Sequence, residues 1–579
     1  MKMSQSIIIC SLENYYKFVQ KILGVTNSEP SSSCLFINGK IVSACSEEAF
    51  TRIKNDDSFP YNSIDWILKK NNIKNVKDID HIAYAWSKGL EPNLLESLLK
   101  RYNYEIKKNY KNKSIFLERL HVETIKDLEK QKEFKDWIKK NNLEDKVIFL
   151  YHHEAHALSS ILVSGLTKGI CITADARGDY ESLVIWQFDL KKKEYLRKLL
   201  SIPTNDSLGF FYGRITGLLG FTPNRHEGKI TGLAAYGRAS KTIKLMNKMI
   251  HYKNGTVRAN NGSYYRPFFS NYSKEIINEI KKYKPEDVAA GAQKHLENVI
   301  MKLLKKTTKN IKKYNLCLAG GVFANVRLNQ KLKELKSVNK VFIQPQMNDG
   351  GLCVGAAAAV AFNNKNKILP MVSAKLGYQN DQSVIKFLIK KYKLKKIAQD
   401  PIKFIIESLK NNLVLGVVRG AMEFGPRALL NRSIVYKTSD VTCNNWLNKR
   451  LSRTDFMPFA PFTIPSLAKK SFYNFDNKDK TLHFMTSTIK CKKIFKNKSP
   501  AVYHVDGTAR PQIIFKNQDP FFYKLIKQWH NETGELSLIN TSFNIHEEPI
   551  IRTYQEGIFQ LNKGVIDILM LENNIYKKN

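Results

Sequence analysis

The sequence predicts an α/β protein with two large domains. A chain of 579 residues is too long to fold around one hydrophobic core. Its content of 43% hydrophobic and 11% aromatic residues is typical of globular proteins. Strand-like apolar runs alternate with helical stretches on both sides of a polar segment at 362–385. The predicted organisation is therefore an N-terminal extension (1–21), a first domain (22–370) and a second domain (371–579).

The chain is strongly basic, with 93 Lys+Arg against 52 Asp+Glu and a formal net charge of +41. Such a charge can indicate a nucleic-acid or membrane partner. The basic tracts are short, scattered and free of interleaved aromatic residues, however, and Lys, Asn and Ile are abundant along the whole chain. Compositional bias is thus the favoured explanation, and we expect neither a nucleic-acid nor a membrane partner. Anionic phosphate substrates would also benefit from this charge.

The eight cysteines point to a cytoplasmic protein with reduced thiols. They form no CxxC pair, and several lie within apolar runs, at positions 10, 34, 45, 171, 317, 353, 443 and 491. The N-terminal SIIIC run is too short for a signal peptide, and no window approaches 18 uninterrupted apolar residues. We therefore expect a cytoplasmic location.

Two strands open the first domain, joined by a turn at Asn38-Gly39. A hairpin of this kind is common at the start of nucleotide-binding domains of the actin and sugar-kinase type. The charged segment 102–140 is predicted to be an exposed helical region.

The segment YHHEAHA provides the first candidate ligands. His152 and His156 are four residues apart, so on a helix they share one face and can bind one metal ion. Asp175 ends the following apolar strand, and Asp349 ends a second one. Two imidazoles and two carboxylates suit iron, with manganese or zinc as alternatives. The alternative is that these histidines belong to the hydrophobic core or the surface.

Glycines mark two further candidate sites. The segment 207–237 holds seven glycines in 31 residues, which allows close backbone approach at a site or between packed elements. Within it, Glu227 and Lys229 flank Gly228 and could contact a substrate, although a purely structural turn is an equal alternative. Later, an apolar strand, Gly320-Gly321 and a helix follow one another, as in loops that bind a phosphate or a ribose.

The second domain places arginines in the loops between its apolar strands. Planar guanidinium groups recognise phosphate and carboxylate with several donors at once. A single arginine of this kind is usually solvated, but the set as a whole indicates an anion site. It occurs in the segments EFGPRALLNRSI, LNKRLSRTDFMPFAPF, HVDGTARPQII and LINTSFN.

Taken in order, these motifs resemble the NodU/CmcH-type carbamoyltransferase family over about residues 22–575. The motifs are HHEAHA, SLGFFYGRITGLLGF, EGKITGLAAYG, AGGVFAN, QPQMNDGG, EFGPRALLNRSI, MPFAPF, VDGTARPQ and NTSFN. The resemblance implies an N-terminal actin/sugar-kinase-like (ASKHA) domain of duplicated lobes with a metal site. It also implies a C-terminal YrdC-like open α/β domain that makes carbamoyl-adenylate.

By this resemblance the enzyme uses carbamoyl phosphate and ATP and transfers the carbamoyl group to a hydroxyl of a small molecule or sugar. A homodimer is a possible assembly. The implied metal ligands are His152, His156, Asp175 and Asp349, and His153 is a substrate contact. The nucleotide and carbamoyl phosphate residues are Gly320, Gly321, Asn325, Arg427, Lys449, Arg453, Arg510, Asn540, Thr541 and Ser542, with Glu227 and Lys229 nearby.

The chain also departs from the family pattern. Glu29-Pro30 stands where relatives carry a His-Asp pair, so Glu29 is the expected replacement base. Leu430, Thr454 and Met457 replace a glycine, an acidic residue and an arginine of the family motifs. Two alternatives therefore stay open: a tRNA-modifying or tRNA-binding protein related to the threonylcarbamoyl transferases, and a catalytically impaired family member.

Overall fold

The computed structural model describes residues 19–86, 113–453 and 459–578. Most of the predicted N-terminal extension lies outside these ranges, as do Thr454 and Met457. Two five-stranded sheets and one eight-stranded sheet organise the described residues, together with three two-stranded sheets. This arrangement confirms the predicted α/β class.

The first sheet has the strand order β3-β2-β1-β4-β5, with β2 antiparallel and β4 parallel to β1. Its strands are β1 (Lys21–Thr26), β2 (Ser32–Ile37), β3 (Lys40–Ser46), β4 (His81–Tyr84) and β5 (Val147–Phe149). The accompanying helices are α1 (Glu48–Thr51), α2 (Tyr61–Lys70), α3 (Lys113–Asn141) and α4 (His152–Ser164). Asn38 and Gly39 have φ values of 49° and 77°, which confirms the predicted hairpin turn.

The second sheet has the order β12-β11-β6-β7-β8. Its strands are β6 (Lys168–Gly178), β7 (Glu181–Asp189), β8 (Leu196–Pro203), β11 (Tyr314–Ala319) and β12 (Val338–Ile343), and a separate hairpin consists of β9 (Ile250–Lys253) and β10 (Thr256–Ala259). The helices are α5 (Leu208–Leu218), α6 (Glu227–Leu233), α7 (Ile243–Met249), α8 (Lys274–Ile280), α9 (Pro285–Thr307), α10 (Val326–Lys333) and α11 (Leu352–Asn363).

The two five-stranded sheets repeat one topology. In each, the first three strands form an antiparallel meander, and the last two lie parallel to the first strand on its other side. This repeat confirms the predicted duplicated lobes. Helices α4 and α11 pack against each other, and a Cβ atom on Gly355 would lie 1.8 Å from the Ala155 carbonyl oxygen. The carboxyl ends of the parallel strands, where α/β folds bind ligands, border this helix pair.

The C-terminal region has its own hydrophobic core and an open mixed sheet of order β14-β24-β23-β15-β17-β22-β18-β21. The strands are β13 (Lys375–Gln379), β14 (Leu394–Lys396), β15 (Leu415–Val418), β16 (Ala421–Glu423), β17 (Arg432–Lys437), β18 (Ala460–Thr463), β19 (Ile489–Lys490), β20 (Thr508–Ala509), β21 (Gln512–Ile513), β22 (Leu538–Ser542), β23 (Ile568–Leu571) and β24 (Asn574–Lys578). The helices are α12 (Ile385–Lys391), α13 (Pro401–Lys410), α14 (Cys443–Arg450), α15 (Pro465–Ser471), α16 (Lys480–His483), α17 (Lys493–Lys498), α18 (Pro520–Thr533) and α19 (Tyr554–Asn562).

The described part of the segment predicted as an exposed helical region at 102–140 is a helix, but one side of it is buried rather than exposed. Helix α3 buries Phe134 and Trp137 in the core of the first lobe, and it also buries the charged residues Arg119, Glu123 and Asp127. These charges tolerate burial because they form ion pairs with one another and with the second lobe.

The predicted reduced and buried cysteines agree with the structure. The seven cysteines within the described ranges are free, and six of them are buried. The described part of the chain contains no helix with the length and apolar character needed to traverse a membrane.

Candidate active site

Four of the predicted ligands form one cluster between the lobes. One donor atom from each of His152, His156, Asp175 and Asp349 lies within 4.8 Å of the others. The Asp175 Oδ2 atom is 2.9 Å from His152 Nε2 and 3.0 Å from His156 Nε2. The Oδ1 atom of Asp349 is 3.8 Å and 3.4 Å from the same two nitrogens. All four side chains thus point into one small volume.

Local structure explains this convergence. Helix α4 begins at His152, so His152 and His156 occupy one face in its first turns, and the Asp179 carboxylate accepts a hydrogen bond of 2.6 Å from the His152 backbone N–H. Asp175 lies where the pairing of β6 with β7 loses register. The prediction that Asp349 ends a strand is wrong, because β12 stops at Ile343 and Asp349 begins a short 3₁₀ turn before α11.

The electrostatics of this cluster favour a cation. Burial by itself would lower the pKa of the His152 imidazole, but the charges of Asp175 and Asp349 raise it to about 9. The histidines in turn hold the pKa of Asp175 well below its ordinary value, against the opposing effect of burial. Within the described structure, the buried Oδ1 atom of Asp175 has no hydrogen-bond partner. Two imidazoles and two carboxylates with an unsatisfied buried oxygen fit a divalent metal ion.

His153 points away from this cluster. Its Nδ1 atom lies 2.9 Å from the hydroxyl of Thr173 on β6, and burial lowers its pKa to about 4. The imidazole is therefore neutral at physiological pH, and it packs between α4 and the second sheet.

The Gly320–Asn325 segment, which we call the glycine loop, borders the cluster. Gly320 has a φ of 101°, and a Cβ atom there would lie 2.3 Å from the Ala174 carbonyl oxygen, so only glycine fits. A Cβ atom on Gly321 would have Asp175 Cβ as its sole neighbour within 4 Å, at 3.9 Å, which leaves room for a ligand. Asn325 caps α10 by accepting a hydrogen bond of 3.0 Å from Leu328 N–H.

A second centre, which we call the arginine centre, lies on the other side of the glycine loop. Arg427 donates a hydrogen bond of 3.2 Å to the Ala324 carbonyl oxygen. Burial and the charge of Arg510 lower the pKa of Arg427, and burial lowers the pKa of Arg510 to about 10. Two cations that repel each other in a partly desolvated pocket favour an anion between them.

Asn540 adds an amide to the arginine centre. Its Nδ2 atom donates to Gln512 Oε1 at 2.7 Å and to the Ala428 carbonyl oxygen at 2.9 Å. Its Oδ1 atom is buried without a hydrogen-bond partner among the described residues. Such an acceptor suits an N–H donor of a ligand.

The other predicted residues of the second domain lie in different surroundings. The Arg453 guanidinium donates to Thr541 Oγ1 at 2.9 Å and to the Ser542 carbonyl oxygen at 2.9 Å, so it orders the loop after β22. Lys449 is exposed on α14. Arg432 is fully buried and donates to backbone carbonyl oxygens, including that of Arg419 at 2.7 Å, which gives it a structural role.

Glu29 and Glu227, predicted from distant parts of the sequence, both contact Asn224. The Asn224 amide donates to Glu29 Oε2, and the Asn224 backbone N–H donates to Glu227 Oε1 at 2.7 Å. Burial raises the pKa of Glu29, and the nearby Asp57 and Asp349 raise it further. Burial also raises the pKa of Glu227. The amine of the buried Lys229 lies 5.6 Å from the ring centroid of Phe221.

Comparison with known proteins assigns the family. The model of the carbamoyltransferase N-terminus matches residues 21–358, and that of the carbamoyltransferase C-terminus matches residues 406–578. The chain belongs to the carbamoyltransferase family. The prediction made from the sequence motifs is therefore confirmed.

The relatives match between about half and nearly all of this carbamoyltransferase. An uncharacterised protein of Methanocaldococcus jannaschii is 30% identical over 96% of this chain and 99% of its own. Nodulation protein NolNO of Sinorhizobium fredii is 27% identical over 94% and 78%, respectively. A tRNA N6-adenosine threonylcarbamoyltransferase of Persephonella marina is 27% identical over 52% and 72%. The crystal structure of HypF in its phosphate- and nucleotide-bound form matches 60% of this chain and 56% of that chain, with 15% identity and a TM-score of 0.32, which is too low to bear on the site.

The structure adds a buried ionic network that sequence reasoning missed. The Asp127 carboxylate on α3 accepts hydrogen bonds from Arg177 Nη1 at 2.6 Å and from Trp86 Nε1 at 3.0 Å. The Trp86 ring packs edge-on against His152, with 4.5 Å between the ring centroids. One turn away from Asp127, Glu123 accepts a hydrogen bond of 3.1 Å from Tyr180 N–H. Helix α3 therefore supports one wall of the metal cluster.

Replacing Asp127 with asparagine is expected to lower the free energy of unfolding of this carbamoyltransferase by about 3 kcal/mol. The neutral side chain would leave Arg177 without its closest counter-ion in a buried position. Urea denaturation followed by circular dichroism measures this loss. The matched control is Glu129→Gln on the exposed face of the same helix, which should change stability by less than about 0.5 kcal/mol. Equal effects of the two variants would contradict a supporting role for Asp127.

Proposed function

We propose that this carbamoyltransferase first hydrolyses carbamoyl phosphate to carbamate and phosphate, and then joins the carbamate to ATP as carbamoyl-adenylate, with release of pyrophosphate. The carbamoyl group is then transferred to a hydroxyl of a small molecule or sugar, with release of AMP. The observation that carries the proposal is the contact of the glycine loop with both centres. Gly320 lies against Ala174, next to Asp175, and Ala324 accepts a hydrogen bond from Arg427. The glycine loop thus separates the arginine centre, where the intermediate would be made, from the metal cluster formed by His152, His156, Asp175 and Asp349, where it would react.

Adenylation brings together two phosphorylated reactants, so it needs positive charge in a partly desolvated pocket. Arg427 and Arg510 supply that charge, and the repulsion between them is relieved when an anion binds. The unpaired Oδ1 atom of Asn540 is a suitable acceptor for the carbamoyl N–H. The backbone of the glycine loop leaves space for the adenylate, while Arg453 orders the end of β22, which carries Thr541 and Ser542.

Transfer follows at the metal cluster, where His152, His156, Asp175 and Asp349 would hold a divalent ion such as iron. Such an ion would supply Lewis-acid polarisation of the carbamoyl carbonyl group. Glu29 accepts the proton of the attacking hydroxyl, and its raised pKa makes it a stronger base than an ordinary carboxylate. Glu227 and Lys229 of α6 are assigned to substrate contacts, and Glu227 shares the hydrogen-bond partner Asn224 with Glu29.

Formation of AMP and pyrophosphate by the purified protein tests the proposal. Incubation with ATP and labelled carbamoyl phosphate should release both products, and a pool of monosaccharides and amino sugars should gain label. Unfractionated tRNA in a parallel reaction tests the alternative acceptor. Failure to consume ATP in the presence of carbamoyl phosphate would overturn the proposed activity, and label in tRNA alone would overturn the proposed acceptor class.

Removal of the metal should separate the two steps. After treatment with a chelator, carbamoyl transfer is expected to fall to background. The carboxylates and imidazoles that would hold the metal lie in the ligand cluster and not in the arginine centre. Exchange of labelled pyrophosphate into ATP, which reports adenylation, should persist when Mg²⁺ is restored. Transfer that survives complete loss of the bound metal would contradict the assignment of the cluster.

A further inference from the structure

The segment Thr222–His226, which we call the junction loop, lies between α5 and α6 and contacts both the first lobe and the C-terminal region. Towards the first lobe, the Asn224 amide donates to the Glu29 carboxylate, and Asn55 Nδ2 donates to the Asn224 carbonyl oxygen at 3.1 Å. Next to Glu29, the Ser28 hydroxyl donates to Asp349 of the metal cluster. The junction loop is therefore connected to the predicted metal ligand Asp349 through the adjacent residues Ser28 and Glu29, each of which makes one of these hydrogen bonds.

Towards the C-terminal region, the junction loop forms an ion pair and a hydrogen bond with one carboxylate. Arg225 Nη1 lies 3.2 Å from Glu547 Oε2, and His226 Nε2 lies 2.6 Å from Glu547 Oε1. The Arg52 guanidinium of the first lobe donates to the Pro549 and Ile550 carbonyl oxygens at 2.8 Å each. The segment 547–550 is thus held by both lobes.

His226, His546 and Glu547 lie close enough to resemble a second metal site. The hydrogen bonds of His226 favour a different role. Its Nδ1 atom accepts a hydrogen bond of 3.1 Å from Thr222 N–H, so in the neutral ring the proton is on Nε2. A protonated Nε2 donates to Glu547 and has no lone pair for a metal ion. The cluster is therefore a hydrogen-bonded contact between the two regions.

The position of Glu29 depends on the junction loop. Asp57 and Asp349 repel the Glu29 carboxylate, whereas Lys126 attracts it and the Asn224 amide donates a hydrogen bond to it. Without that donor, repulsion would favour rotation of Glu29 towards solvent. Asn224 in turn belongs to a five-residue loop whose last two side chains are bound to Glu547.

We propose that Glu547 is a positioning residue for carbamoyl transfer: it holds the junction loop, and through Asn224 it holds Glu29 at the metal cluster. This inference rests on the proposed function. It means that the transfer site is complete only when the C-terminal region, which makes the adenylate, is docked against the lobes. Adenylation itself needs no contribution from Glu547. Carbamoyl transfer therefore depends on this contact, whereas adenylation does not.

The test compares Glu547→Ala with Glu548→Ala, an exposed neighbour that carries the same charge. Glu547→Ala is expected to slow carbamoyl transfer to the sugar pool by about tenfold or more, because Glu29 loses its orientation. Exchange of pyrophosphate into ATP and the metal content should stay within about twofold of the wild type. Glu547→Gln keeps an oxygen for His226 but loses the charge for Arg225, so transfer should be intermediate. Glu548→Ala should match the wild type in every assay.

Hydrogen exchange provides a readout that needs no acceptor. In Glu547→Ala, backbone amides of residues 27–31 and 222–227 should exchange faster, while those of α4 and β17 stay unchanged. The proposal is overturned if the amides near Glu29 are unaffected, or if transfer and adenylation fall together. Absence of carbamoyl phosphate-dependent exchange in the wild type would instead overturn the proposed function, and hydrogen exchange would still decide whether Glu547 holds Glu29.

Discussion

His152→Ala is expected to abolish carbamoyl transfer and metal binding while leaving carbamoyl-adenylate formation intact. His152 contributes one of four clustered donors, and its imidazole contacts Asp175 at 2.9 Å. Loss of a group that only orients a ligand typically costs 10- to 100-fold, so loss of a ligand should cost about 100-fold or more. Metal analysis of the purified protein, transfer of label to the sugar pool and pyrophosphate exchange measure the three quantities separately.

The matched control is His153→Ala, one residue along the same helix. His153 bonds to Thr173 and lies outside the ligand cluster, so this variant should retain its metal. A folded His152→Ala protein that loses adenylation together with transfer would contradict the division of labour between the two centres. Retention of metal in that variant would contradict the ligand assignment.

Arg510→Ala is expected to weaken adenylation by about thirtyfold while metal content stays unchanged. A hydrogen bond to a charged phosphate contributes about 2 kcal/mol, which corresponds to that factor in apparent affinity. The expected effect on folding has the opposite sign. Arg510 lowers the pKa of Arg427 by charge repulsion, so its removal should leave the melting temperature unchanged or slightly higher. Pyrophosphate exchange measured over a range of carbamoyl phosphate concentrations provides the first quantity, and calorimetry provides the second.

Arg510→Lys separates charge from geometry at the same position. Lysine keeps the positive charge but cannot offer two parallel donors, so it should restore adenylation only in part. A drop in bound metal in either variant would contradict the separation of the centres. A lower melting temperature in Arg510→Ala would show that this arginine stabilises the fold and would weaken its assignment to an anion site.

The sequence was sufficient to predict the metal cluster because its geometry is mostly local. Two histidines four residues apart share a helix face wherever that helix lies, and Asp175 lies on the next strand of the chain, 19 residues after His156. The duplicated lobes and the family could be predicted equally well, because the family motifs occur in order over most of the chain. The sequence correctly placed Asp349 near the other three ligands, but it did not predict the secondary structure of this residue. A short 3₁₀ turn has no distinct sequence pattern.

The burial of charged residues could not be predicted. Glu123 and Asp127 have the spacing of an ordinary solvated helix face, and their helix shows no clear amphipathic pattern. Their burial depends on Arg177, which lies some 50 residues further along the chain and belongs to the other lobe. Likewise, the arginines of the second domain look alike in sequence, yet Arg432 binds backbone carbonyl groups while Arg427 and Arg510 face each other.

By itself, the sequence determined the α/β class, the family, the two histidines on one helix face and the glycines that allow close backbone approach. These features depend on short-range periodicity and on the steric freedom of single residues. Only the tertiary structure decided which charges pair, which arginines are held by backbone carbonyl groups and how Glu547 is linked to Glu29 through the junction loop. The physical reason is that ion pairs and desolvation depend on distances between residues hundreds of positions apart, and only packing sets those distances.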